Sequence, residues 1–394
     1  MSSKNIKNIF FIDRFPFTKN LFVRFEFEKF KALGYNVKFI DISSILKRQK
    51  LESVYTDEIA PYRIKFSSTK AFDSFIKTHK DNCLVASTVP FIGSSSWMYL
   101  SLFKYKIDYV LLSFESFPEL SSPQKNTLAK KYGKVIRFFN RLHFKKVWIK
   151  PKEAITFLRA KHGIYPAKMM ILSEQKKVRN SLLTDTNTII RYSFSPDYKE
   201  YDRIKDKKRI ISEKYAVFID QYFYHHPDFK TKHIEHEFTN TDYYPQLNTF
   251  LESFSKKTGL KVIVASHPRR HQVQEADFNA DFDLYYNKTA QLIKDADIVL
   301  MHFSTAISFA ILSRKPFLLL NSPMLKGTVD EKIKSFAQYF NKEEILLEEA
   351  YHPKPAHFEI DEARYLRYQN AFLGHPKAKH ETFSEKILSL IHQL

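Results

Sequence analysis

The chain has 394 residues, with 63 Lys and Arg against 43 Asp and Glu, so its formal net charge is +20, and 44% of it is hydrophobic. That length is too great for a typical single core and suits two domains of about 200 residues each. One cysteine, Cys83, excludes an intramolecular disulfide or a cysteine-rich zinc site; 7 glycines with no Gly-x-Gly-x-x-Gly and no Walker-type loop disfavour a nicotinamide dehydrogenase or a P-loop NTPase.

Asn8 to Asp13 reads as a strand, Leu21 to Leu33 as a helix, and Gly34 to Asp41 as a second strand entered through a helix-ending glycine. This βαβ opening implies a parallel sheet. Further strands are expected at 83–86, 109–113, 146–149, 168–172 and 188–193, with Cys83 packed inertly in the first of these. Between them, residues 122–150 hold nine Lys or Arg and no acid, with Leu128, Tyr132, Val135, Ile136, Phe139 and Leu142 at helical spacing. Such a helix suits either an anionic membrane surface or an ordinary core beneath a solvated basic face. The polar, lysine-rich stretch 196–214 marks a boundary, which gives domains 1–200 and 201–394. Tyr215 to Asp220 opens the second domain. Short, partly β-branched apolar runs at 262–265, 298–301 and 317–320 read as strands buried on both faces, separated by helices at 290–296 and 306–313.

Polar residues collect where these strands end. His267 and Pro268 follow the run 262–265, Ser304 and Thr305 follow 298–301, and Thr289 precedes the intervening helix. Thr289 is expected to cap 290–296, and Ser304 or Thr305 to cap 306–313. The carboxyl edge of an open α/β sheet is where ligands bind, and helix starts with hydroxyls favour a phosphate. His267 is placed to donate to that phosphate or to the departing oxygen, and Pro268 to fix the loop. Asp220 and Gln221, ending the strand from Tyr215, are expected to orient the phosphate-bearing ligand or His267. In the first domain, Asp13 and Glu115 are the candidate bases; Asp13 is also readable as a cap of the following turn, and nearby Glu119 as a cap or a partner of the basic helix. Arg14 and Arg24 are candidates to pair with an anionic substrate group. His225, His226, His233 and His236 have no familiar zinc spacing, so no metal and no resident cofactor is expected.

The run from Val262 to Leu320 resembles the carboxyl-terminal domain of GT-B glycosyltransferases, closest in detail to those using cytidine nucleotides. Bacterial sialyltransferases of this fold carry a His-Pro motif and, after a later strand, a Ser-Ser or Ser-Thr pair; CDP-glycerol polymerases show a similar order ending in Lys-Pro, here Lys315 and Pro316. By resemblance, His267 and Pro268 fall on the motif that contacts the nucleotide, and Ser304 and Thr305 on the pair that contacts its phosphate. The match covers about sixty residues, and the sialyltransferase acidic-glycine motif has no counterpart here, so the resemblance does not supply the base. It implies an α/β GT-B enzyme of two Rossmann-like domains facing a central cleft. Such an enzyme would transfer a sugar, with a CMP-activated sialic, nonulosonic or Kdo-type acid preferred, to a glycan or lipid-linked acceptor in bacterial surface glycan synthesis. A UDP-sugar transferase or a UDP-sugar epimerase of the same build is the second reading, and a basic glycan- or membrane-binding protein the third. Lysine spread over the whole chain without a recognised module argues against nucleic acid. No run of eighteen apolar residues and no apolar leader occurs, so a cytoplasmic protein, peripheral at most to the inner membrane surface, is expected.

Overall fold

The computed structural model describes residues 5–46, 57–113, 151–173, 182–223, 239–267, 270, 277–327 and 329–394. The expected strand at 146–149, the basic helix over 122–150, the His225 to His236 segment, Glu115, Glu119 and Pro268 lie outside the described residues. The described chain forms two compact units, one from the residues up to Phe194 together with Gly374–Leu394, the other from Ser195–Leu373.

In the first unit, strands β1 (Asn8–Asp13), β2 (Asn36–Asp41), β3 (Arg63–Lys65), β4 (Cys83–Ser87), β5 (Asp108–Ser113), β6 (Met169–Leu172) and β7 (Ile189–Tyr192) form one sheet. Their order is β3-β2-β1-β4-β5-β6-β7, with every pairing parallel. Helices α1 (Lys19–Arg24), α2 (Phe27–Ala32), α3 (Thr69–His79), α4 (Ser96–Lys104) and α5 (Pro151–His162) connect them. Strand β1 is buried at every position, and its alternation divides it between two cores. Ile9 and Phe11 join the cluster that holds Phe25, Phe27 and Phe30, whereas Phe10 and Ile12 join the one that holds Phe72, Ile76 and Tyr99.

The single helix expected over 21–33 is two short ones, because Glu26 takes a left-handed φ of 54°. In a continuous helix Phe25 and Phe27 would lie about 200° apart around the axis. The break turns both rings onto Phe11, at centroid distances of 4.8 and 5.1 Å.

The second unit repeats the plan. Strands β8 (Tyr215–Ile219), β9 (Lys261–Ser266), β10 (Asp283–Tyr286), β11 (Ile298–Met301), β12 (Phe317–Asn321) and β13 (Glu344–Leu346) lie in the order β10-β9-β8-β11-β12-β13, all parallel. Helices α6 (Pro196–Ile204), α7 (Asn240–Thr258), α8 (Thr289–Asp295), α9 (Ile307–Leu312), α10 (Asp330–Phe340) and α11 (Glu362–Tyr368) accompany them. The polar stretch after residue 196 thus contains α6, capped by Ser195, whose hydroxyl accepts from the Tyr198 N–H, and anchored by buried Ile204. Strands β3, β10 and β13 were not expected. Each is a short sheet edge with no fully buried position, so each lacks the continuous apolar run that marks its neighbours.

The units meet in sequence at residue 194 rather than 200, and residues 374–394 return to the first unit instead of staying with the second. Two contacts account for this. In the last helix, α12 (Phe383–Ile391), Phe383 enters the ring cluster with Phe11, Phe25 and Phe30. The Glu26 carboxylate accepts from the N–H groups of Phe383 (3.1 Å) and Ser384 (3.0 Å) and from the Ser384 hydroxyl (2.7 Å). An acid at a helix N-terminus is favourable for the macrodipole as well as for the unpaired donors. Glu26→Gln, which keeps an acceptor but removes the charge, should therefore cost about 1 kcal/mol. A fall in the urea midpoint at unchanged slope would show it; an unmoved midpoint would mean that the rings alone dock the helix.

Candidate functional site

In the second unit the strand order reverses between β8 and β11, the first and fourth strands of the sheet, and the chain leaves both at the carboxyl edge. Such a switch point opens a crevice because the connections on either side depart in opposite directions. Asp220 and Gln221 leave β8 there, His267 leaves neighbouring β9, and His302 to Thr305 leave β11.

Asp220 is buried and accepts four hydrogen bonds. The N–H groups of Tyr222 (2.9 Å) and His267 (3.1 Å) donate to it, as do Arg270 Nε (2.7 Å) and Nη2 (3.1 Å). Arg270 is itself buried and ion-paired to Asp277, donates to the Tyr244 hydroxyl (2.8 Å), and has its guanidinium carbon 4.9 Å from the Phe278 ring centre. Burial opposes a charge on Arg270, but Asp220 and Asp277 outweigh it and raise the guanidinium further above its ordinary value. With both its oxygens engaged in these bonds, Asp220 acts on the site through the backbone of His267. The Arg270 N–H closes the turn by donating to the His267 carbonyl at 2.9 Å. The His267 ring is half-buried and lies nearly parallel to that of Tyr222, with centroids 5.7 Å apart at 11°.

Gln221 accepts from the Phe303 N–H at 2.8 Å and so ties the end of β8 to the end of β11 across the switch point. Of the expected hydroxyls, Ser304 is half-buried and Thr305 exposed. Neither caps the helix as expected. Helix α9 starts at Ile307 with Ala306 in the cap position, while Ser304 Oγ accepts from the Ala306 N–H at 3.2 Å, a tight turn one step earlier. Thr289 is the first residue of α8 rather than its cap, which is Lys288 without a side-chain bond, because β10 runs on to Tyr286 and leaves only two residues before the helix.

His302 faces the core instead of the edge. It is fully buried, with Nδ1 2.8 Å from the Leu320 carbonyl and Nε2 2.7 Å from the Tyr243 hydroxyl. Burial lowers its pKa to about 4 and keeps the Tyr243 hydroxyl well above its ordinary value, so the phenol donates to a neutral imidazole.

In the first unit, Asp13 ends β1 at that sheet's own reversal point, between β1 and β4. It is buried. One carboxylate oxygen accepts from the Phe15 N–H (2.9 Å) and the other from the Thr88 hydroxyl (2.5 Å). These bonds are those of a turn cap that joins two strand ends, and they compete with the role of a base. Arg14 is exposed, its guanidinium carbon 5.0 Å from the Phe15 ring centre, and Arg24 is half-buried in the last turn of α1. Among the described residues no group of three or more His, Cys, Asp or Glu could hold a metal ion, and no helix is long and apolar enough to cross a membrane.

Arg270, Tyr222 and the Tyr243–Tyr244 pair escaped the sequence reading. Arg270 stands three residues after His267, a spacing that one tight turn brings back onto the histidine, and that was the available signal.

No protein-family profile matches this sequence, and no curated protein matches it. Solved structures do. A variant of the wall teichoic acid polymerase TagF is 12% identical over 98% of this chain and 88% of its own, with a TM-score of 0.51. The calicheamicin glycosyltransferase CalG4 is 10% identical over the whole of both chains at 0.49, and the UDP-GlcNAc 2-epimerase from Methanocaldococcus jannaschii 10% identical over 98% and 99% at 0.48. The likeness to the polymerase shows the fold, which is GT-B: two Rossmann-like units, each on a parallel sheet.

Proposed function

We propose that the protein is a glycosyltransferase that binds a nucleotide-sugar donor at the carboxyl edge of the second sheet. The observation that carries this reading is the placement of His267, pinned through Asp220, at the same sheet edge and the same strand-order reversal as Ser304 and Thr305. An imidazole and two hydroxyls at a switch point supply donors to a phosphate whose charge grows as the glycosidic bond breaks.

The donor we favour is a CMP-activated acidic sugar, of the sialic, nonulosonic or Kdo type, as the His-Pro and Ser-Thr order suggests. Its anomeric carbon already sits on the phosphate of CMP. The acceptor oxygen attacks that carbon, the carbon–oxygen bond to phosphate breaks, CMP leaves with the electron pair, and a carboxylate takes the acceptor's proton. Glu115 is our candidate base, since Asp13 is occupied at both oxygens. A net charge of +20 suits a polyanionic donor and an acceptor held at an anionic membrane surface.

The test is a thermal-shift titration with CMP, CDP, UMP, UDP, GDP and ADP, repeated on His267→Ala. CMP should raise the melting temperature, because a ligand at 100 times its Kd stabilises the fold by about 2.7 kcal/mol, and His267→Ala should abolish the rise. A larger response to UDP would replace the donor by a UDP-sugar. Silence with every nucleotide would sink the enzyme and favour a basic binding protein.

A further inference from the structure

Tyr222 has a backbone conformation that its residue type disfavours. Its φ is 53°, in the left-handed region where a Cβ crowds the following carbonyl, and its side chain is buried. Glycine is the usual residue at such an angle. A tyrosine kept in a strained turn at a ligand edge points to a use for the ring, and strain of this kind concentrates where structure serves a site.

The use is visible in what the ring meets. Its face lies parallel to the His267 imidazole, and the Arg270 guanidinium carbon is 5.1 Å from its centre. The Asp220 carboxylate accepts the N–H of Tyr222 at one oxygen and of His267 at the other, so a single buried group sets both backbones. Holding the backbone of His267 does not by itself set the plane of its imidazole. A flat aromatic face alongside it restricts its rotation.

We infer that Tyr222 is a positioning residue for His267: it holds the imidazole plane in the orientation that donates to the nucleotide phosphate, with Arg270 locking the Tyr222 and His267 turns into one unit. The inference rests on the reading of His267 as a nucleotide contact.

The test compares Tyr222→Phe, which keeps the ring, with Tyr222→Leu, which keeps bulk but loses the aromatic face, each measured alone and in His267→Ala. CMP affinity is read by calorimetry, and the His267 ring signals by NMR of protein labelled in histidine. Tyr222→Phe should bind as the parent does. Tyr222→Leu should shift the His267 ring signals and weaken CMP by about tenfold, and the double variant should be no weaker than His267→Ala alone. The inference is overturned if Tyr222→Leu leaves affinity and ring signals in place, or if it weakens the His267→Ala protein by the same factor again, which is what general loosening of the fold would do. Should His267→Ala bind CMP as the parent does, the nucleotide role of His267 falls. The NMR then decides for Tyr222 by itself: shifted His267 signals keep the positioning contact, and unshifted ones remove it.

Discussion

Arg270→Met should lower the free energy of unfolding by about 3–5 kcal/mol, the largest single effect expected in the second unit. The guanidinium is buried and is the cation shared by Asp220 and Asp277. Methionine fills much of the space but leaves both carboxylates buried without their partner, so the loss is the cost of stranding them and exceeds whatever the intact cluster contributes net. Asp277→Asn in the Arg270→Met background removes one stranded charge and should restore part of the loss, a sign that independent mutations would not give. Urea denaturation at neutral pH measures both. A loss below about 1 kcal/mol for Arg270→Met would mean that water reaches the cluster, and the rigid support of His267 would go with it.

The second large effect is a dependence of stability on pH that comes from His302. In the unfolded chain its imidazole titrates at its ordinary value of 6.5; in the fold, burial lowers this to about 4. Above pH 6.5 it is neutral in both states and costs nothing. As pH falls from 6.5 towards 4, the unfolded chain takes up a proton that the fold refuses, so stability drops; below about 4 the folded imidazole is protonated too and the loss stops growing. At pH 5 the accumulated cost is about 2 kcal/mol. His302→Gln has no titrating group at this position. Its stability should fall less steeply between pH 6.5 and 5, by close to one proton's worth of slope, in denaturant melts across that range. Equal slopes in parent and variant would show that the imidazole takes up its proton without unfolding, against the dry packing among Phe218, Phe223 and Tyr243.

His302 and His267 show how far the chain can be read without its structure. Both end apolar runs that the sequence marks as strands, and the runs are where they were expected: Ile298–Met301 at the expected bounds, Lys261–Ser266 with one more residue at each end. Nothing local separates the two histidines. His302 is turned inwards because Tyr243, 59 residues away, and the Leu320 carbonyl are there to satisfy both ring nitrogens. His267 stands at the edge because Asp220, 47 residues away, takes its N–H and the Tyr222 ring lies beside it.

What the sequence by itself determined was the part written in short-range periodicity: continuous apolar runs that become strands buried on both faces, their alternation with helices, and therefore two parallel α/β units with polar residues gathered at strand ends. Only the tertiary structure decided the partners. It broke the helix at Glu26 and returned residues 374–394 to the first unit, because Phe383 completes a ring cluster whose other members lie more than 350 residues earlier. It also turned Asp220 into the support of His267, through an arginine that becomes its neighbour only when β8 and β9 pair. Hydrophobic alternation repeats every two or four residues and can be read locally. Which buried charge meets which depends on the register of strands far apart in the chain, and that is settled only when the sheet forms.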